Sequence, residues 1–395
     1  MTSYRVATPR WKRESESGFV KEDGPRSAIG RELSVDKVLL AIVLGLTLFG
    51  VVMVYSASAV LAQRNYGSQF YFLIRQGMWA VVGLIAMAIG MSIDYRHYNR
   101  AFVVKGLLVV TVVLLAAVFL FPAHRSTHRW IRYEGVLSVL SIQPAEISKL
   151  ALIAFLSFFL CERSAQLDKF KRTFVPAALV GGVLVAMVAL EPDLGTALAL
   201  ISVFTGMMFQ AGVPVRYLAS LGLLVLPALA YMLLVPWRFQ RIMDFLDPWA
   251  NQTGSSFQIV QSLIAVGSGG SGGLGFAQGK QKLFYLPAPH TDFIFSVIAE
   301  ELGLFGAATV VLMFALLAWR GFRAAKYAPD MFGQLLAVGL TTMIAVQALF
   351  NVSVTLSLVP AKGIPLPFIS SGGTSLAISL FAAGLLLNVS KHGKK

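Results

Sequence analysis

Apolar runs of about one membrane thickness alternate along this chain with short polar interruptions. A hydrocarbon core takes about 20 apolar residues per helix, and on that ruler the runs mark about ten spans. They lie near 38–61, 73–93, 102–122, 145–161, 174–190, 195–210, 218–235, 293–319, 332–352 and 371–390. The first run is too long for the apolar region of a cleavable leader and reads as a signal anchor. Residues 1–37 carry both signs of charge and are interrupted by Pro9 and Pro25, the pattern of a disordered tail.

Lysine and arginine in the short loops orient these spans. The tail, Arg96/Arg100/Lys105, Arg163/Lys169/Lys171/Arg172, Arg216, Arg320/Arg323/Lys326 and Lys391/Lys394/Lys395 form one set, assigned to the cytoplasm. Both termini then lie inside, which requires an even number of spans. The expectation is an all-α polytopic membrane protein. Its membrane domain covers 38–390, with a long extracytoplasmic segment 236–292 between helices 7 and 8 and a basic cytoplasmic tail 391–395.

Composition agrees with that class. Hydrophobic residues make up 56% of the chain and charged residues 13%, which no soluble domain of this length needs. The net charge of +14 is accounted for by cytoplasmic loops, so nucleic-acid binding is not expected. The single cysteine, Cys161, forms no intrachain disulfide.

Within 236–292, Phe239, Ile242, Met243 and Leu246 follow helical spacing, with Arg238, Arg241 and Asp244 opposite. This predicts an amphipathic helix, either lying in the membrane interface between Trp237 and Trp249 or capping the bundle. The run Gly267–Gly275 reads as a hinge or lid; Gln281 after Lys280 rules out a Walker phosphate loop. The outer face also holds Arg125, Arg129, Arg132, Arg238, Arg241, Lys280, Lys282 and Lys362. Singly these are loop charges; together they suggest an anion site.

The candidate chemistry centres on Asp292, where the long segment enters the eighth span. An ionisable group at a membrane edge costs free energy unless it has a partner or a task. The residues alone leave two roles open, a cap on the span's N-terminus or a general base. Trp130 is read either as a sugar-stacking face or as an interfacial anchor. Glu146 and Lys149, three apart, read as a charge pair facing the bundle interior. Asp193, beside Pro192, reads as satisfying a broken helix end, and Glu300 or Glu301 as neutralising a buried cation. His124/His128 and His290 with Asp292 are too dispersed for a fixed metal site.

Five ordered segments carry a resemblance. They are Val54-Tyr55-Ser56-Ala57-Ser58; Arg129-Trp130-Ile131 with Gln143-Pro144-Ala145-Glu146 and Lys149; Pro192-Asp193-Leu194-Gly195-Thr196; His290-Thr291-Asp292-Phe293-Ile294-Phe295 through Glu300-Glu301-Leu302-Gly303; and Pro360 through Gly373. On these the chain resembles the SEDS glycosyltransferases, the FtsW/RodA group of bacterial cell-wall polymerases. Lys362 in the Pro-x-Lys-Gly turn and the wording of 286–295 are more similar to the division type, FtsW, than to the elongation type, RodA. Ala361, Ser371 and Ala288-Pro289 depart from the usual FtsW pattern.

The resemblance implies polymerisation of lipid II, a disaccharide-pentapeptide on undecaprenyl diphosphate, in septal cell-wall synthesis. It maps the catalytic aspartate onto Asp292. For such a reaction Lys362, Arg129, Arg132 and Lys280 are the candidate diphosphate contacts, with Trp130 and His290 as further substrate contacts. Lys362 leads because its turn is broken by Pro360, Pro365 and Pro367, its alternative being a charge snorkelling to the interface. A diphosphate leaves as a weakly basic anion, so no second carboxylic acid is needed to protonate it. No fixed cofactor is expected, though a divalent cation (Mg or Mn) can ride on the diphosphate. A class B penicillin-binding protein and other divisome proteins are the implied partners, in the bacterial inner membrane at the septum. An elongation-type polymerase, a lipid II flippase and a non-catalytic scaffold for division proteins are the competing readings.

Overall fold

The computed structural model describes residues 35–121, 128–131, 141–223, 236–283, 285–360 and 363–393. Eleven helices carry labels here: α1 (Lys37–Tyr66), α2 (Tyr71–Ser92), α3 (Ala101–Ala117), α4 (Pro144–Glu162), α5 (Val175–Leu190), α6 (Leu194–Ala211), α7 (Pro236–Leu246), α8 (Phe257–Gly269), α9 (Ile294–Tyr327), α10 (Met331–Thr355) and α11 (Gly373–His392). Among the described residues, nine helices are long and apolar enough to cross a membrane: all of these except α7 and α8. Residues 215–223 are also helical, and the rest of the expected seventh span lies outside the described residues. The chain is a multi-pass membrane protein.

Local chemistry sets the helix ends. Asp36 accepts from the backbone N–H groups of Val38 and Leu39 and starts α1, and Gly67 ends it in the left-handed conformation. Pro144 opens α4, where a missing N–H costs nothing. Asp193 and Asp330 cap α6 and α10. Helices α4, α10 and α11 form the buried centre, with α2, α3 and α5 more exposed around them. α11 packs closely along α2, where a Cβ on Gly384 would sit 2.3 Å from the carbonyl of Met87. Such close approach at small residues is how helices associate without a hydrophobic driving force.

Several boundaries differ from those expected. α1 continues to Tyr66, so the Val54–Ser58 motif lies within the helix rather than at its end. α9 runs on through Arg320, Arg323 and Lys326, whose long side chains carry their charge outward without stopping the helix. α11 extends to His392, so the tail assigned to 391–395 begins as helix. The helix α8 was not anticipated, because 13 residues fall short of a span.

The Gly-rich segment differs most in character. α9 breaks at Gly303 (φ 66°, ψ −165°), a backbone conformation that suits glycine. The segment after α8 fills the notch: Leu274 and Gly275 donate to the carbonyls of Glu300 and Glu301, and Leu304 donates to the carbonyl of Gly270. Instead of a free hinge, it satisfies the backbone groups that the break releases. In α7, Phe239, Met243 and Leu246 are exposed while Asp244 is buried, receiving hydrogen bonds from Gln240 and Ser255. Three of the four apolar side chains that mark its helical spacing are thus turned outward, an arrangement that suits a helix in contact with the interface.

Candidate active site

One end of the bundle gathers the junctions α1–α2, α3–α4, α5–α6 and α10–α11 together with the segment before α9. Asp292 is fixed there through its backbone. Asn351 of α10 donates one Nδ2 hydrogen bond to the Asp292 carbonyl at 2.8 Å and another to the carbonyl of Ile364 at 2.7 Å. Ser370 donates from Oγ to the Thr291 carbonyl at 2.7 Å, and the Ser371 N–H donates to the His290 carbonyl at 2.9 Å. The 290–292 strip is thus stitched to the turn at 363–371.

Its side chain is a different matter. α9 begins after Phe293 with no side-chain cap, and no described residue donates a hydrogen bond to the Asp292 carboxyl. The cap alternative therefore falls. Although Asp292 keeps some exposed surface, its carboxyl is hemmed in: a Cβ on Gly363 would stand 2.5 Å from Oδ2. Burial pushes its pKa up to about 6; the Asp193 carboxylate adds to the rise and the Arg129 guanidinium opposes it. That value puts a carboxylate close to working pH, the useful range for a general base.

Arg129 reaches this cluster from the segment before α4. That segment is pinned by paired backbone hydrogen bonds between Ile131 and Ile142, of 2.8 and 3.0 Å. Arg129 donates from Nε to the Glu191 carbonyl at 3.0 Å and from a terminal nitrogen to the Pro192 carbonyl. Asp193 caps α6 through Thr196 and accepts from Gln143 Nε2 at 3.0 Å, tying that turn to the start of α4. Beside them the Glu191 side chain is fully buried, and neither carboxyl oxygen has a hydrogen-bond partner among the described residues. Asp292 and Glu191 thus both feel the Asp193 carboxylate and the Arg129 guanidinium, and in both cases burial and the neighbouring acid outweigh the arginine and favour holding a proton.

A family model described as cell cycle protein, for the FtsW, RodA and SpoVE group, matches residues 36–395. The chain belongs to this family. It is 43% identical over 363 residues to the probable peptidoglycan glycosyltransferase FtsW of Geobacter metallireducens, covering 91% of this chain and 95% of that one. It is 42% identical to stage V sporulation protein E of Bacillus subtilis, covering 92% and 99%. Among solved structures it resembles a chain of a peptidoglycan synthase complex that coordinates polymerization and crosslinking, with TM-score 0.74, 29% identity, and coverage of 91% and 98%. It also resembles the rod shape determining protein RodA of Thermus thermophilus, with TM-score 0.67, 27% identity, and coverage of 92% and 99%.

Within this family fold, the residues singled out from sequence take varied places. Asp292, Arg129 and Asp193 fall in one electrostatic cluster. Lys362 and Arg132 lie outside the described residues, while Gly363 next to Lys362 abuts Asp292. His290 is buried with its ring 4.3 Å from that of Phe72, and Trp130 is half-buried. Lys280 is exposed, and its backbone N–H donates to Glu300 at 2.7 Å. Glu146 and Lys149 are fully buried and paired at 2.8 Å. Glu301 pairs with Lys282 at 2.6 Å, and Ser56 hydrogen-bonds both. Lys282, expected as an outer-face cation, therefore serves the interior.

Glu191, Asn351, Ser370 and Gln143 escaped the sequence reading as site residues. Glu191 did carry a signal: it stands one residue from Asp193 across a proline at a membrane-helix break, where a second acid calls for an explanation. Among the described residues, no three His, Cys, Asp or Glu side chains converge as a metal site.

Proposed function

We propose that this chain is a peptidoglycan glycosyltransferase that polymerises lipid II, with Asp292 as the general base. The name of the FtsW relative and the likeness to a peptidoglycan synthase complex support the activity. The observation that carries the residue assignment is the Asp292 carboxyl itself. Its backbone is clamped, its side chain is not used as a cap, and its pKa is pushed to about 6 beside Arg129.

The reaction follows from that placement. An acceptor sugar hydroxyl attacks the anomeric carbon of the donor, and the bond from that carbon to the lipid diphosphate breaks. The hydroxyl proton passes to Asp292 as the bond forms. Negative charge gathers on the departing diphosphate, where Arg129 and Lys362 stabilise it. A divalent ion, where it takes part, travels on the diphosphate as part of the substrate.

A class B penicillin-binding protein is the proposed partner, supported by the likeness to a complex that couples polymerization to crosslinking. The septal role rests on Lys362 and the 286–295 segment. Near-equal likeness to FtsW and to SpoVE makes location the deciding measurement: a fluorescent fusion is expected at the division site of growing cells, and a side-wall or sporulation-restricted pattern overturns that role. For the activity, purified protein with lipid II in detergent is expected to yield glycan chains. Asp292→Asn is expected to lower the rate by about 10²–10⁴-fold with unchanged melting, the usual contribution of a positioned base. Near-normal polymerisation by that variant sinks the assignment.

A further inference from the structure

Glu191 is the group at this end of the bundle that the reaction above leaves without a task. It ends α5 with its side chain 0% exposed and both carboxyl oxygens without a hydrogen-bond partner among the described residues. A buried charge without a partner is far costlier than a buried neutral acid. Its own carbonyl, however, is where Arg129 Nε is docked, at 3.0 Å, and the next carbonyl holds another nitrogen of the same guanidinium.

Resting on the reaction just described, we propose that Glu191 is a positioning residue: an uncharged acid that leaves Arg129 seated on the turn carbonyls and available to the diphosphate. On ionising, its carboxylate competes for Arg129 and adds negative charge where the leaving group must be accommodated. Polymerisation then falls although Glu191 touches no substrate. Among the described residues, the charged groups facing it are Arg129, from the segment before α4, and Asp193, from its own turn; the same two act on Asp292.

The electrostatics run in the required direction. Burial first, and the Asp193 carboxylate second, push the Glu191 pKa up to about 8, with Arg129 opposing. Asp292, at about 6, therefore ionises first. Two carboxyls pushed apart in this way give one group charged and one neutral near pH 7. The stability linkage is also fixed in sign. Between the ordinary carboxylate range and about pH 8 the folded chain holds a proton that the unfolded chain has lost, so stability declines as pH rises through that window.

The test is the pH profile of kcat/KM for lipid II polymerisation from about pH 5 to about pH 9. Wild type is expected to give a bell with limbs near 6 and 8. Glu191→Gln is expected to keep the acid limb, lose the alkaline limb, and run about tenfold faster than wild type at about pH 9. Its melting temperature is expected to exceed that of wild type at pH 8 by more than at pH 5, because the linked proton is gone. An alkaline limb that survives in Glu191→Gln overturns the proposal, as does a variant that melts normally but is inactive at every pH. Infrared spectra of the wild type decide the point without relying on the variant's folding. A protonated-carboxyl band that disappears as pH rises through about 8 supports it, and no change above pH 7 overturns it. Failure of wild type to make glycan at any pH strikes the polymerase reading instead, and is told apart by that infrared transition.

Discussion

The two ends of the bundle treat their acids in opposite ways. At the end away from Asp292, Asp36 pairs with Arg320 at 2.6 Å while capping α1. Burial raises the Asp36 pKa, but the Arg320 hydrogen bond and the N–H groups of Leu39 and Val38 outweigh it and hold the carboxyl below the usual range. Asp330 caps α10 and accepts from Tyr95 Oη and Arg96, and Asp94 faces both Arg96 and His392. At the Asp292 end, Asp292 and Glu191 both feel Asp193 and one described arginine, Arg129, whose hydrogen bonds go to backbone carbonyls. One end spends its cations on holding helices together. The other pairs Glu146 with Lys149 and Glu301 with Lys282 but, among the described residues, gives Asp292 and Glu191 no ion pair, a state that costs stability and that chemistry on a charged substrate can use.

Substitutions at the two ends should therefore separate activity from stability. The largest effect after loss of the base itself is expected from Gly363→Ala, whose Cβ would lie 2.5 Å from Asp292 Oδ2 and force the carboxyl aside. A displacement of about 1 Å costs about 10²-fold in rate. Polymerisation should fall by that order while melting changes little, and an active variant would show that the turn at 363 has slack. Asn351→Asp comes next. It removes the amide that clamps the Asp292 and Ile364 carbonyls and sets a carboxyl against them, so kcat should drop about tenfold with KM nearly unchanged. A change confined to KM would move Asn351 from positioning to substrate binding.

At the opposite end the sign of the split reverses. Asp36→Asn should cost about 1–3 kcal/mol of stability by weakening a largely buried charged hydrogen bond, with polymerisation at permissive temperature intact. Thermal melting beside single-temperature activity checks this, and a large activity loss without a melting change would break the comparison. His392→Ala should be the mildest, about 0–1 kcal/mol, because its contact with Asp94 is long at 3.8 Å and partly exposed. Chemical denaturation should barely distinguish it from wild type.

Much of this contrast was legible in the chain. Runs of about 20 apolar residues mark spans because backbone polar groups in hydrocarbon must be satisfied within the helix. Asp292 stood out because an acid at such an edge needs a reason. Other features depend on distant partners. Nothing local distinguishes Lys282, buried against Glu301 and Ser56, from an ordinary loop lysine such as Lys280. α8 is too short to register as a span, and α9 outruns its apolar stretch because Arg320, Arg323 and Lys326 keep helical backbone. Glu191 showed in the chain as a second acid near Asp193, but its complete burial is a property of the fold, not of the tripeptide it sits in.

The notch at Gly303 bears on how the protein is made. Until residues 270–275 dock, α9 would present bare carbonyls and amides partway along its length, and a lipid environment offers them no substitute. A nascent α9 is thus poorly suited to entering the bilayer as an independent rod. Because the plugging strip is synthesised before the helix it completes, the order of translation supplies the missing partners in advance, and moving that strip downstream of α9 by circular permutation should impair biogenesis even with every native contact still encoded.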